Sequence, residues 1–145
     1  MAEIRRPNPD KGNRVIEVAA GLIFREGKLL IAQRHADSHL GGLWEFPGGK
    51  RESGESFSQC LQRELKEELG CEVVVGECIQ SVTHDYPEKC VYLKFFLCSG
   101  LVAEPEPIGC ADLRWINRDE MDQFSFPAAD EKLLSLLRQR AELWG

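Results

Sequence analysis

Gly49, five residues, Glu55, seven residues, then Arg63-Glu64-Leu65-Lys66-Glu67-Glu68-Leu69-Gly70-Cys71 is the stretch on which the reading of this chain turns. Ser56-Phe57-Ser58-Gln59 has the form of a capping box, in which a hydroxyl and an amide side chain satisfy the first free groups of a helix. Gly70 stands where a left-handed residue ends one. The pattern predicts a helix over about residues 57 to 69. At about 100° per residue with Phe57 at zero, Cys60, Leu61, Leu65 and Leu69 fall in one arc, which should face a core. Glu64, near −20°, and Glu68, near +20°, lie inside that apolar arc, and Glu67, near −80°, borders it. At i, i+3 and i+4 the three carboxylates are neighbours on one helix.

Three like charges at a half-buried edge repel one another and lose hydration. A divalent cation offsets both costs. Hard carboxylate oxygens suit Mg2+ or Mn2+, which commonly share their coordination with substrate phosphates. A bare E-x-x-E-E reads as a solvated helix face; here its phase against the leucines, Glu55 and the glycines just before the helix all favour a metal site. Gly48-Gly49 alone reads as a turn. Next to Lys50 and a carboxylate helix, it becomes backbone that can approach a phosphate closely.

The chain has 145 residues, 43% of them hydrophobic, which is enough to bury one core and too little to split comfortably. We therefore expect a loose N-terminal segment over 1–13, with Pro7, Pro9 and Gly12, and a single domain over 14–145. Net charge is −6 with no basic stripe, which disfavours a nucleic-acid polymer as partner. A small anionic substrate is compatible, because bound cations reverse the local charge. Six cysteines contain no C-x-x-C pair and read as small core residues, not as a zinc or disulfide framework. No signal peptide or membrane-length apolar run is recognisable, so a cytoplasmic, reducing location and no membrane partner are expected. His35-x-x-x-His39 could pair on a metal only within a helix, and its Asp, Ser and Gly surroundings read as loop.

Periodicity and turn residues predict strands over Arg14 to Phe24 and Lys28 to Gln33, joined as a hairpin at Arg25-Glu26-Gly27. His35 to Leu43 reads as loop, Trp44 to Phe46 as a short strand, and Pro47-Gly48-Gly49 as the start of a long loop ending at Ser56. Glu72 to Thr83 and Lys89 to Leu101 read as strands around a turn at Tyr86-Pro87, followed by a proline-rich loop over Glu104 to Pro107 and a strand over Leu113 to Ile116. Leu133, Leu134, Leu136, Leu137, Ala141 and Leu143 mark one apolar stripe on a closing helix from about Ala128.

The spaced residues of the opening stretch make a full Nudix box, G-x5-E-x7-R-E-U-x-E-E-x-G-U with U apolar, Cys71 being a soft fit to the last position. Leu43-Trp44-Glu45-Phe46-Pro47-Gly48-Gly49-Lys50 and Phe126-Pro127-Ala128-Ala129-Asp130 resemble the MutT-like branch of that family, and the resemblance covers about residues 14 to 140. It implies an α/β (α+β) fold, the Nudix α/β/α sandwich with a mixed sheet and a central catalytic loop-helix-loop. It also implies a metal-dependent hydrolase that converts a nucleoside triphosphate and water to a monophosphate and pyrophosphate; monomer and homodimer are both left open by the sequence. By the same resemblance Glu64, Glu67 and Glu68, with the Gly49 carbonyl, hold the metals. Arg63 orients Glu64, while Glu55 and Gly70 are structural. Substrate contacts are implied for Arg34, His39, Phe46, Gly48, Lys50, Tyr86, Lys89 and Asp130. No serine elbow or P-loop occurs, so water is the expected nucleophile, activated beside the cation.

Two positions qualify the resemblance. MutT-like chains usually carry a further glutamate six residues before the tryptophan numbered Trp115 here, and this chain has Gly109. The general base is therefore open between Glu67 and the loop acids Glu104, Glu106 and Asp112, and a non-catalytic nucleotide-binding module is the alternative of another class. Asp130 stands where MutT proteins that remove oxidised guanine nucleotides place asparagine, while related CTP pyrophosphohydrolases place aspartate. An ionised Asp130 can only accept, which suits an exocyclic amine or the N7 hydrogen of oxidised guanine and repels guanine O6. Sanitising 8-oxo-dGTP and hydrolysing CTP or a modified dCTP both remain open.

Overall fold

The structure, a computed structural model, describes residues 14–145, and the segment expected to be loose over 1–13 lies outside them. Strand β1, Arg14–Arg25, alternates its side chains between two faces. Ala19 and Ile23 join one buried cluster with Leu61, Leu65 and Leu69, and Ala20 and Leu22 join a second with Leu133, Leu134 and Leu137. The first three leucines lie on α1, Phe57–Leu69, and the last three on α2, Glu131–Gln139. Each fully buried leucine contributes about 1.5–3 kcal/mol. A helix thus covers each face of the sheet, giving the expected α/β/α sandwich.

The other strands are β2 Lys28–Gln33, β3 Trp44–Glu45, β4 Gly48–Lys50, β5 Glu72–Asp85, β6 Lys89–Val102 and β7 Asp112–Ile116. They run in the order β3-β2-β1-β6-β5, with β4 added to β1 and β7 to β2. β1 and β6 are parallel, and the remaining pairs are antiparallel. The β1–β2 hairpin turns on Glu26 (φ 51°) and Gly27 (φ 78°), the two left-handed residues that a tight hairpin of this hand requires.

α1 has the predicted bounds and caps. Ser56 accepts from the Gln59 amide, Gln59 returns the bond, and Gly70 closes the helix at φ 65°. Elsewhere the boundaries shift for physical reasons. Gly48–Lys50, expected as loop, is a strand because its backbone bonds to β1, a partner distant in sequence. The closing helix is divided: a 3-10 turn over Ala128–Asp130 precedes α2, and Arg140 (φ −105°, ψ 73°) breaks it before a second turn over Ala141–Trp144. Ala141 is exposed, and Trp144 is buried instead, donating from Nε1 to the Leu137 carbonyl at 3.0 Å. All six cysteines are free thiols; five are buried as expected and Cys78 is exposed.

Candidate active site

Strand β4 divides the site into two halves. Gly48 and Lys50 pair with Ala20 and Val18, on the α2 face of β1, while Gly49 pairs with Ala19, on the α1 face. Gly49 is packed so tightly on α1 that a methyl group at its Cα would overlap the Glu64 carboxylate. Its carbonyl accepts from the buried Cys60 thiol at 3.4 Å.

On the α1 side a single guanidinium organises the acids. Arg63 gives Nε and Nη2 to the two oxygens of Glu55 at 3.0 and 2.7 Å, a forked pair that aligns both planes. Its Nη1 reaches Glu64 at 3.0 Å and Glu67 at 3.2 Å, and Nη2 also donates to the Lys50 carbonyl at 3.0 Å. Arg63 hydrogen bonds, followed by the Glu52 amide, hold Glu55 at a pKa of about 2. Glu64 and Glu68 behave oppositely. Burial pushes both above the ordinary carboxylate value, and the charge of Glu67 adds to the rise in each. Glu64 is 13% exposed in its side chain and Glu67 is 54% exposed, so the three glutamates grade from the core edge to solvent.

Among the described residues no three Asp, Glu, His or Cys side chains form a ready-made ion cage, and Arg63 bonds oxygens of both Glu64 and Glu67. The donor chemistry nonetheless fits a hard divalent cation. Half-buried carboxylates whose charge is disfavoured gain most from one, and oxygen ligands are what Mg2+ and Mn2+ select.

On the other side lies a cavity of about 190 Å³ with an apolar floor from β1 and β6, including Val18, Ala20, Leu93 and Phe95. All eight residues expected to contact substrate line it: Arg34, His39, Phe46, Gly48, Lys50, Tyr86, Lys89 and Asp130. Phe46 is stacked on Phe126 at 5.3 Å and 12°. Tyr86 meets His39 and His84 edge-on, at 5.8 and 4.6 Å, with the Lys89 ammonium 5.6 Å from its ring centre. Asp130 is only 4% exposed, and its side chain makes no capping hydrogen bond to α2. Burial, and secondarily the charge of Glu45, raises its pKa to about 7.

Glu45 is the residue that sequence reasoning passed over. It lines the same cavity and takes the Arg34 guanidinium at 2.9 Å, while Arg34 Nε donates to the His39 carbonyl at 2.6 Å. The available signal was its place between Trp44 and Phe46, an acid between two aromatic residues in a predicted strand.

Of the loop acids considered as bases, Glu104 is held by Arg25 at 2.7 Å, and Asp112 accepts from the Leu113 amide and pairs with Arg114. Glu106 uses its backbone amide on the Leu69 carbonyl.

The NUDIX domain family matches residues 19–136. A CTP pyrophosphohydrolase of Escherichia coli K12 is 40% identical over 121 residues, 83% of this chain and 90% of that protein. An 8-oxo-dGTP diphosphatase of Proteus vulgaris is 46% identical over 83 residues, 57% of this chain and 74% of that one. The solution structure of the E. coli ORF135 protein superposes with a TM-score of 0.80 at 37% identity, covering 92% of this chain and 95% of its own. With the carboxylate helix, the glycine strand beside it and the match over most of its length, this chain belongs to the NUDIX domain family.

Proposed function

We propose that the chain is a divalent-metal-dependent nucleoside triphosphate pyrophosphohydrolase acting on oxidised nucleotides of the 8-oxo-dGTP kind. One observation carries the reading: β4 sets the carboxylates of α1 and a base-sized cavity back to back, a few residues apart. Glu64, Glu67 and Glu68 would hold Mg2+ or Mn2+, which supplies charge neutralisation for the phosphates and makes a water more acidic. Arg63 fixes the orientation of Glu64 through its fork on Glu55. Arg34, Lys50 and Lys89 offer positive charge along the cavity, and Tyr86 offers a ring on which a base can stack. Water adds at phosphorus, the anhydride bond between the first two phosphates breaks, and monophosphate, pyrophosphate and a proton leave. The six free thiols, five of them buried, suit work in a reducing compartment such as the cytoplasm.

Asp130 supports the choice of base. With a pKa near 7 its carboxyl retains a proton for much of the time at neutral pH, and then both donates and accepts. That edge complements O6 beside the N7 hydrogen of oxidised guanine. The ionised form, which only accepts, favours an exocyclic amine and supports the second reading, a CTP or modified-dCTP pyrophosphohydrolase. Magnesium-dependent pyrophosphate release across canonical, oxidised and methylated triphosphates tests both. 8-Oxo-dGTP should rank first near and below pH 7. Nucleotide binding without pyrophosphate release would contradict the reading.

A further inference from the structure

The loop between β6 and β7 does more than connect. Its amides close the end of α1: Glu106 donates to the Leu69 carbonyl at 2.9 Å, and Ile108 and Gly109 both donate to the Glu68 carbonyl at 3.1 and 2.9 Å. These are carbonyls that a helix leaves without partners. The loop is anchored at both ends, by the Arg25–Glu104 pair at 2.7 Å with Arg25 lying 4.1 Å from the Trp115 ring centre, and by the Ala111 amide on the Gln33 carbonyl at 2.8 Å. Against this fixed backbone rests the Glu68 carboxylate, so close to Gly109 that a Cβ there would overlap it. Gly109 does not have a positive φ, so its backbone conformation is open to any residue. What excludes a side chain is Glu68.

We propose that Gly109 is a positioning residue: the bare Cα at the place where related chains carry a glutamate leaves the room that the Glu68 carboxylate occupies, while the Gly109 amide binds the Glu68 carbonyl. The proposal rests on the metal-site reading above. A methyl group at Gly109 would meet the flexible end of Glu68, the part that moves at least cost. The fold would stay and the carboxylate would move. Displacing such supporting contacts typically weakens metal affinity or activity about 10- to 100-fold.

The test is a double-mutant cycle on Mn2+ binding, followed by electron paramagnetic resonance of the free ion, with melting temperature as control. Gly109→Ala should weaken Mn2+ about 10-fold or more with little change in melting temperature, lower kcat more than it changes KM, and add no further loss in a Glu68→Ala background. Wild-type Mn2+ affinity in Gly109→Ala, a collapse of its melting temperature, or full additivity with Glu68→Ala would each overturn the proposal. If the wild type neither binds Mn2+ nor releases pyrophosphate, the functional reading fails and this inference falls with it.

Discussion

The two sides of β4 are built on opposite terms. Toward α1, acids are crowded and matched by a five-donor guanidinium, and every member except the glycine lies within fourteen residues of sequence around one helix turn. Toward α2, Asp130 is buried at a cavity whose floor is aromatic and aliphatic, and the second acid there, Glu45, is held by Arg34. The first side concentrates charge, which under the proposed function a cation and a phosphate chain would use. The second sets a buried carboxyl at the wall of a cavity, and under the proposed function that group would discriminate among bases.

The sharpest way to break the comparison is on the charged side. Glu64→Gln or Glu68→Gln keeps the shape and removes the charge, and turnover in Mg2+ should fall about 10²- to 10³-fold in steady-state pyrophosphate release while the cavity residues keep their nucleotide ranking. On the enclosed side, Asp130→Asn should change that ranking. It should also remove a pH dependence of stability. The folded-state pKa of Asp130, about 7, lies above its ordinary 3.8, so the folded chain binds this proton more tightly and the contribution is greatest at low pH. It declines as pH rises from about 4 to about 7, by roughly 4 kcal/mol at 1.36 kcal/mol per unit. Denaturant unfolding of wild type and Asp130→Asn at pH 4 and pH 8 should show the wild type losing ground to the variant at the higher pH. Equal differences at both pH values would mean that the proton is not held in the fold.

Smaller effects sharpen the contrast. Tyr86→Ala removes a stacking surface worth about 1–3 kcal/mol, so KM should rise about 10-fold with kcat little changed in initial-rate measurements. Ser56→Ala removes the cap of α1 at a cost of about 1 kcal/mol. Thermal unfolding should register that loss, and kcat/KM of the folded protein should not.

The same contrast explains what could be read from the amino acids. α1 was legible with both caps, because its signals are local: Ser56 and Gln59 bond to each other, Gly70 takes its own left-handed turn, and the leucines repeat at helical spacing. β4 was not, because Pro47-Gly48-Gly49 has the composition of a turn and becomes a strand only through β1, about thirty residues away. The 3-10 turn over Arg118–Gln123 carries a local signal of its own, the Asn117-x-x-Glu120 capping box. Resemblance to a family marks Asp130 and Tyr86, which line the cavity, whereas Glu45 is marked by its bond to Arg34, which appears only in the fold. Gly109 could be seen as the absence of a glutamate, and only the packing of Glu68 against it gives that absence a purpose.

The most direct measurement is an anomalous-scattering crystal structure with Mn2+ and a non-hydrolysable analogue of 8-oxo-dGTP. The expected result is manganese beside Glu64 and Glu68, the phosphates crossing β4, and the base enclosed on the other side with its edge on Asp130. Manganese away from those carboxylates, or a base lying outside the cavity, would contradict the account.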